Sequence, residues 1–460
     1  MSNSMGEQLY NDKQLDNKIN DLVSYVTQAS ERVEAIKPED SALVSEKEKW
    51  TKELEENRGR PLFFPYMGSG LGKGCYVELE DGSVKLDLIN GIGINIFGHN
   101  HPKIMAAAVK GALSDVVVQG NLQPGKEMVR LARKLVEISS RKSRLKHSWI
   151  TTSGSMSNEN ALKMCRQKTN GARKIIAMNA AFAGRTTMMT EVTDNDTMRV
   201  GLPRYDEVLR IPFFDKNDSQ CIGKTTALFK EHVENNKGNI CAFMFEPMQG
   251  EGGYNVAPRE YFLPLLKICK ENNIPVWADE IQTFCRTGEF FAFEKLDIAE
   301  YIDICTVAKT LQCAATLYSD ELNPKPGLIA GTFAASSAAM SAGLEVLNIL
   351  DDEGFLGKNG KILKIHDEFV GMLNKLNETT CKGLLQDAGG LGLMVAVTPL
   401  AGSREDMINC VKKLYDKGLI SFGCGRGPFR IRFLIPAVMT SGDIQVAKEI
   451  IETTILELKS

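Results

Sequence analysis

The sequence predicts an α/β fold: a mostly parallel central sheet with helices on both faces, accompanied by a smaller α+β domain. Three observations predict it. From about residue 100 to 335, short apolar runs alternate with amphipathic helical segments, as βαβ units require. Each apolar run ends in polar or small residues. After about residue 340 the pattern changes to helices with short strands. The chain divides accordingly into residues 1–75, a helical arm and the start of the small domain; 76–338, the large α/β domain; and 339–460, the C-terminal small domain.

The arm is charged and helix-prone, as in "EKEKWTKELEENRGR". The glycines of "YMGSGLGKGCYVELEDGSVKLDL" invite a phosphate-loop reading, but the pattern fails, because Met67 and Gly74 stand where that loop needs Gly and Ser or Thr. The Asp81-Gly82 pair between alternating residues predicts a β-hairpin instead. "EMVRLARKLVEI" places Met128, Leu131, Ala132, Leu135 and Val136 on one helical face. The strand-like runs are "HSWITTSG", "KIIAMNAAF", "ICAFMFEP", "IPVWADE", "IDICTVAK" and "GLIAGTF". Further on, Ser403 to Asp406 starts a helix carrying Met407, Cys410, Val411 and Leu414, with Gly418 as its stop, and a last helix follows "TSGD".

At 460 residues the chain exceeds the usual size of one core. Apolar content of 43% with 25% charge is that of a soluble globular protein, and a net charge of −3 leaves no electrostatic footprint for nucleic acid or anionic membrane. No apolar stretch approaches bilayer-spanning length, and the polar start has no signal or transit pattern, so a cytoplasmic location is expected. The 11 cysteines contain no C-x-x-C pair and sit mostly in apolar runs, which suits buried reduced thiols. His99 and His101 form a lone H-x-H before a helix, a weak metal signal, and no metal site is expected.

In an open α/β sheet the ligand crevice lies beyond the carboxyl ends of the strands. The run ends there hold a set of groups that complement one another. Ser153-Gly154-Ser155 precedes a helix and can present backbone N–H groups to an anion, although a plain N-cap at Ser157 or Asn158 explains it as well. Phe182 can stack on a flat heterocycle, and Arg185 can grip a carboxylate. Glu246 and Glu251 share a turn-rich loop. Asp279 ends a buried run, with Gln282 just beyond, and can hold a ring nitrogen protonated. Lys309 ends another run, where a desolvated amine serves as a Schiff-base former or general base. Anion cradle, aromatic plate, acid for a ring nitrogen and amine for an aldehyde are together the needs of pyridoxal 5′-phosphate.

From about Gly72 to its end the chain resembles a class III (subgroup II) aminotransferase of the fold-type I pyridoxal-phosphate enzymes. "GINIFGHNHPKI", "SGSMSNENALK", "FAGRT", "EPMQGEGG", "ADEIQTFCRTGEFFAFE", "VAK", "GTF" and "IRFLIPAVMT" match its motifs in order. The resemblance implies that the large domain binds pyridoxal phosphate, with Lys309 forming the internal aldimine and moving the proton between Cα and C4′. Asp279 would pair with the pyridinium nitrogen, Phe182 would stack on the ring and Gln282 would approach its 3′-oxygen. Gly154 and Ser155 would bind the phosphate, joined by Thr332 of a neighbouring subunit, which implies a homodimer with sites at the interface. Arg432 would bind the substrate α-carboxylate and exchange with Glu251 when an ω-amine enters, and Arg185 would hold the distal carboxylate of 2-oxoglutarate or glutamate.

The implied reaction moves an amino group from an acetylornithine, ornithine, 4-aminobutyrate or lysine type donor to 2-oxoglutarate. Alternatives are an aminomutase or decarboxylating transaminase on the same cofactor, or a non-catalytic relative acting as a binding protein. The sequence departs from the family pattern at Met156, where Glu is usual, at Ala183, and in "TLQCAATLY" and "GTFAASSA", where glycines are usual. These departures bear on specificity. Ile92 resembles the acetylornithine and 4-aminobutyrate branches.

Overall fold

The computed structural model describes residues 4–459. Seven strands form its central sheet: β1 (His147–Thr151), β2 (Lys174–Met178), β3 (Val208–Ile211), β4 (Ile240–Phe245), β5 (Val276–Asp279), β6 (Ile304–Val307) and β7 (Ala314–Tyr318). Their order is β1-β7-β6-β5-β4-β2-β3, and β7 alone runs antiparallel to its neighbours. The exception follows from chain length. Residues 308–313 join β6 to β7, and a parallel crossover needs about a dozen residues or more. Every residue of β4, β5, β6 and β7 is buried, which is why these strands read as unbroken apolar runs.

Successive residues serve opposite faces. Ile175, Ala177, Met244, Trp277 and Ile304 pack with Ala161, Leu162 and Cys165 of the helix Gly154–Lys168. Ile176, Met178, Phe243, Phe245 and Val307 join the larger core on the other face, with Leu131, Leu135 and Ile138 of the helix Lys126–Ser139. The sheet is therefore covered on both sides.

The glycine-rich stretch is a hairpin. Tyr76–Leu79 pairs antiparallel with Val84–Asp87, and Gly82 at φ 72° closes the turn while the Asp81 carboxylate accepts from the Ser83 N–H at 3.0 Å. Val84–Asp87 also pairs in parallel with Leu419–Ile420, so this segment shares a sheet with the C-terminal part of the chain. A second four-stranded sheet runs Leu385–Leu391, Met394–Pro399, Arg430–Leu434 and Phe422–Cys424. The helix Arg404–Asp416 starts on a Ser403/Asp406 capping box, and Ser441–Lys459 is the last helix. Helices Met5–Tyr10, Lys13–Ser30 and Val44–Arg58 form the N-terminal segment.

One run is corrected. "GLIAGTF" forms no strand: Gly327 sits in a turn at φ 86°, and the segment's backbone is satisfied by the 119–121 loop. There the Asn121 N–H donates to the Gly331 carbonyl at 3.2 Å and the Ala334 N–H to the Gln119 carbonyl at 2.7 Å. All 11 cysteines are buried and free. Among the described residues no cluster could hold a metal ion; His99 instead meets the Asp87 carboxylate at 3.1 Å. No described helix is long and apolar enough to cross a membrane.

Candidate active site

Five parallel strands end around one cavity of about 350 Å³, lined among others by Ser153, Phe182, Glu246, Asp279, Gln282 and Lys309. Parallel strands deliver their following loops to the same side, so residues from β1, β2, β4, β5 and β6 meet there although up to 156 positions separate them in sequence (153 to 309).

After β1, Ser153 caps the helix Gly154–Lys168, its side chain accepting from the Met156 N–H at 3.3 Å. Ser157 and Asn158 therefore lie inside the helix rather than at its cap. The first-turn N–H groups of Gly154 and Ser155 have no intrahelical acceptor, which makes this end a cradle for an anion. The cradle is tight. A Cβ on Gly154 would lie 2.9 Å from the Ile281 side chain, and one on Gly184 would lie 2.3 Å from Ser155 Oγ.

Asp279, the last residue of β5, is buried. Its carboxylate accepts from Asn158 Nδ2 at 2.8 Å and from the Ile281 N–H at 2.9 Å. Burial pushes its pKa up to about 6, against these hydrogen bonds and the nearby Lys309. Asn158 also donates to the Ala183 carbonyl at 2.7 Å, so one amide ties the acid to the loop carrying Phe182. Glu246 fastens that loop from the other side, accepting from the Phe182 N–H at 3.0 Å and the Gly250 N–H at 2.9 Å. Burial, reinforced by Asp279, pushes Glu246 up to about 8. Gln282 is buried, and its Oε1 has no hydrogen-bond partner among the described residues.

Lys309 lies two residues beyond β6, in the left-handed region at φ 51°. A lysine held there costs roughly 1–3 kcal/mol of backbone strain, a cost that persists only where the surroundings impose it. Its side chain is partly open to the cavity but otherwise walled by protein. Burial pushes the amine down to about 7; Arg432 and Arg286 add to the shift, and Glu251 and Asp279 oppose it.

Arg432 is completely buried, with Nη1 2.7 Å from Glu251 Oε1. Its Nε and Nη2 have no hydrogen-bond partner among the described residues. Unpaired donors on a buried guanidinium are expensive unless a carboxylate meets them. Glu251 and Phe182 also border an adjoining cavity of about 210 Å³, walled by Phe63, Phe422 and Met407.

Two residues expected at the site stand apart from it. Arg185 is exposed and does not line the cavity; its backbone N–H donates to Oγ of Ser155, which does, at 3.4 Å. Thr332 is exposed on the loop packed against Gly120 and does not line this chain's cavity. Conversely, the sequence reading offers Asn158 only as a helix cap and gives Arg286 no individual role. Asn158 did leave a signal: with Ala161, Leu162 and Cys165 it falls on the apolar face of its helix, where an amide needs a buried partner.

Comparison with known proteins gives the same class of molecule. The family model described as Aminotransferase class-III matches residues 65–455. The acetylornithine aminotransferase of Caldanaerobacter subterraneus is 31% identical over 400 residues, covering 84% of this chain and 94% of that protein. The 4-aminobutyrate aminotransferase of Escherichia coli is 28% identical, covering 84% and 92%. Among solved structures, the lysine aminotransferase of Mycobacterium tuberculosis in its internal aldimine form superposes with a TM-score of 0.78 at 20% identity, covering 89% of this chain and 99% of that one. With the family matched over most of its length and its fold shared by solved members, the chain belongs to the class III aminotransferases and is a transaminase.

Proposed function

We propose that the enzyme binds pyridoxal 5′-phosphate at Lys309 and moves an amino group from an ω-amino donor of the acetylornithine, ornithine, 4-aminobutyrate or lysine type to 2-oxoglutarate. The observation that carries this is the pairing, in one cavity, of an amine pushed down to about 7 with a buried carboxylate from the neighbouring strand end.

The residues present fit the cofactor. Gly154 and Ser155 would receive its phosphate, and the side-chain amide of the buried Gln282, which lines the cavity, would meet its 3′-oxygen through Nε2. Phe182 would face the ring, and Asp279 would hold the ring nitrogen. When bound, pyridoxal phosphate supplies an aldehyde that takes up the donor's amino group and a ring that accepts the electrons of the broken Cα–H bond.

The chain's own groups do the rest. Lys309, its amine pushed down to about 7 by burial, can take a proton at Nζ and return it near neutral pH. Asn158 and the Ile281 N–H hold Asp279 in place and favour its ionised form. Arg432 would hold the α-carboxylate of glutamate or 2-oxoglutarate through Nε and Nη2, while Glu251 covers Nη1 when an ω-amine without that carboxylate enters. Arg185 would hold the distal carboxylate after its exposed side chain turns inward. Thr332, exposed here, would reach the phosphate site of a second subunit, making the working form a homodimer; a cytoplasmic location suits its reduced cysteines.

Purified protein mixed with pyridoxal phosphate and glutamate should form 2-oxoglutarate stoichiometrically in a single turnover. A panel of ω-amines supplied with 2-oxoglutarate should then release glutamate with at least one donor. Failure of every donor, with the glutamate half-reaction intact, overturns the donor assignment alone.

A further inference from the structure

Arg286 lies within the protein wall behind the cavity and belongs to none of the roles above. It is 2% exposed and among the largest fully buried side chains. Its Nε donates to the Gln282 carbonyl at 3.0 Å, and its Nη2 donates to Thr310 Oγ1, the residue next to Lys309. Gly93 packs against the guanidinium so closely that a Cβ there would lie 2.8 Å from Nη2. No carboxylate forms an ion pair with it among the described residues.

Buried charges normally carry a counter-ion, because removal from water is otherwise uncompensated. The other buried guanidinium at this site has one: Arg432 faces Glu251. The charges around Lys309 are therefore unequal in effect. Arg432 disfavours a proton there and Glu251 favours one, Asp279 at the end of β5 also favours one, and Glu246 lines the same wall. Arg286, beyond β5, is the second cation acting on Lys309, with Asp279 opposing it and no carboxylate ion-paired to it among the described residues. Tyr254 and Cys285 are the titratable groups that face it in turn.

We propose that Arg286 is a positioning residue of this transaminase: its guanidinium, held against Thr310 with no ion-paired carboxylate among the described residues, biases the Lys309 nitrogen away from its protonated form while its Nε fixes the Gln282 turn. Like charges disfavour each other's ionised forms, so Arg286 holds Lys309 towards the neutral, proton-accepting form. The inference rests on the functional reading above, and its test separates the two.

In the cofactor-loaded full-length enzyme, the pH midpoint of the long-wavelength absorbance reports the Lys309 nitrogen. Arg286→Met should move that midpoint up by about one pH unit, whereas Arg286→Lys, which keeps the charge, should restore it to near the wild-type value. In the cofactor-free protein, the pH midpoint for acetylation of Lys309 by acetic anhydride, read by mass spectrometry, should move in the same direction. If Arg286→Met does not fold, Arg286→Gln, which keeps an N–H donor without the charge, is judged on the same criterion. Equal shifts in the Lys and Met variants, or no shift in either measurement, overturn the proposal in favour of a purely structural clamp. A wild-type protein with no absorbance band but the expected shift in acetylation overturns the cofactor assignment and leaves the role of Arg286 standing.

Discussion

Replacing Lys309 by Met tests what it costs to keep an amine in this cavity. Met has a similar reach, accepts the same backbone region no less readily and cannot be protonated. Lysine's ordinary value of 10.5 falls to about 7 here. Between those two values the unfolded chain binds a proton that the folded chain does not, so wild-type stability rises with pH across that window. At 1.36 kcal/mol per pH unit, the Met variant should be more stable by up to about 4 kcal/mol at pH 7.0, shrinking to about 1 kcal/mol at pH 9.5. These figures are ceilings, because cavity water reaches part of the side chain. The assay is urea unfolding of the cofactor-free proteins at the two pH values. A difference that stays constant with pH, or a wild type more stable than the variant at pH 7.0, would refute the claim that the cavity disfavours a charged lysine.

Asp279→Asn removes the acid proposed for the ring nitrogen and should weaken cofactor retention about 100-fold, the ~3 kcal/mol typical of losing one partner of a buried charge pair; equilibrium dialysis measures it. Because Asp279 titrates at about 6, uptake by the wild type should also decline as pH falls through that value. Asn158→Ala takes one donor from the same carboxylate and should shift that decline upward by about one pH unit, read from uptake against pH. Glu251→Gln leaves Arg432 buried without its anion. It should cost about 3 kcal/mol in stability and raise KM for 4-aminobutyrate about 10-fold while sparing glutamate, as steady-state kinetics can show.

The parts of the fold visible in the sequence are those fixed by local pattern. The unbroken apolar runs of β4 to β6 reflect burial on both faces, and Asp81-Gly82 closes its hairpin with its own side chain. "GLIAGTF" misled because Leu328 and Ile329 pack while the backbone beyond them pairs with a loop about 200 positions away, a partnership no local window contains. At the site, Asp279 and Lys309 were legible as polar residues closing apolar runs. Asn158 was harder, since a polar residue near a helix start reads first as a cap, and only its spacing with Ala161 and Cys165 betrays burial. Arg286 falls inside the matching run "ADEIQTFCRTGEFFAFE", but its burial was not legible: nothing local distinguishes a surface arginine from one packed against Gly93 and Thr310. Arg185 and Thr332 lie off the cavity in a single chain, so their roles depend on movement or on a second subunit rather than on this fold alone.

The central claim is that Lys309 is the residue that carries the cofactor. Borohydride reduction of protein incubated with pyridoxal phosphate, followed by proteolysis and mass spectrometry, tests it directly. The account predicts one stable secondary-amine link per chain, on Nζ of Lys309, and none in Lys309→Ala. A wild-type chain left unlabelled, or labelled at another lysine with Lys309 untouched, would contradict it.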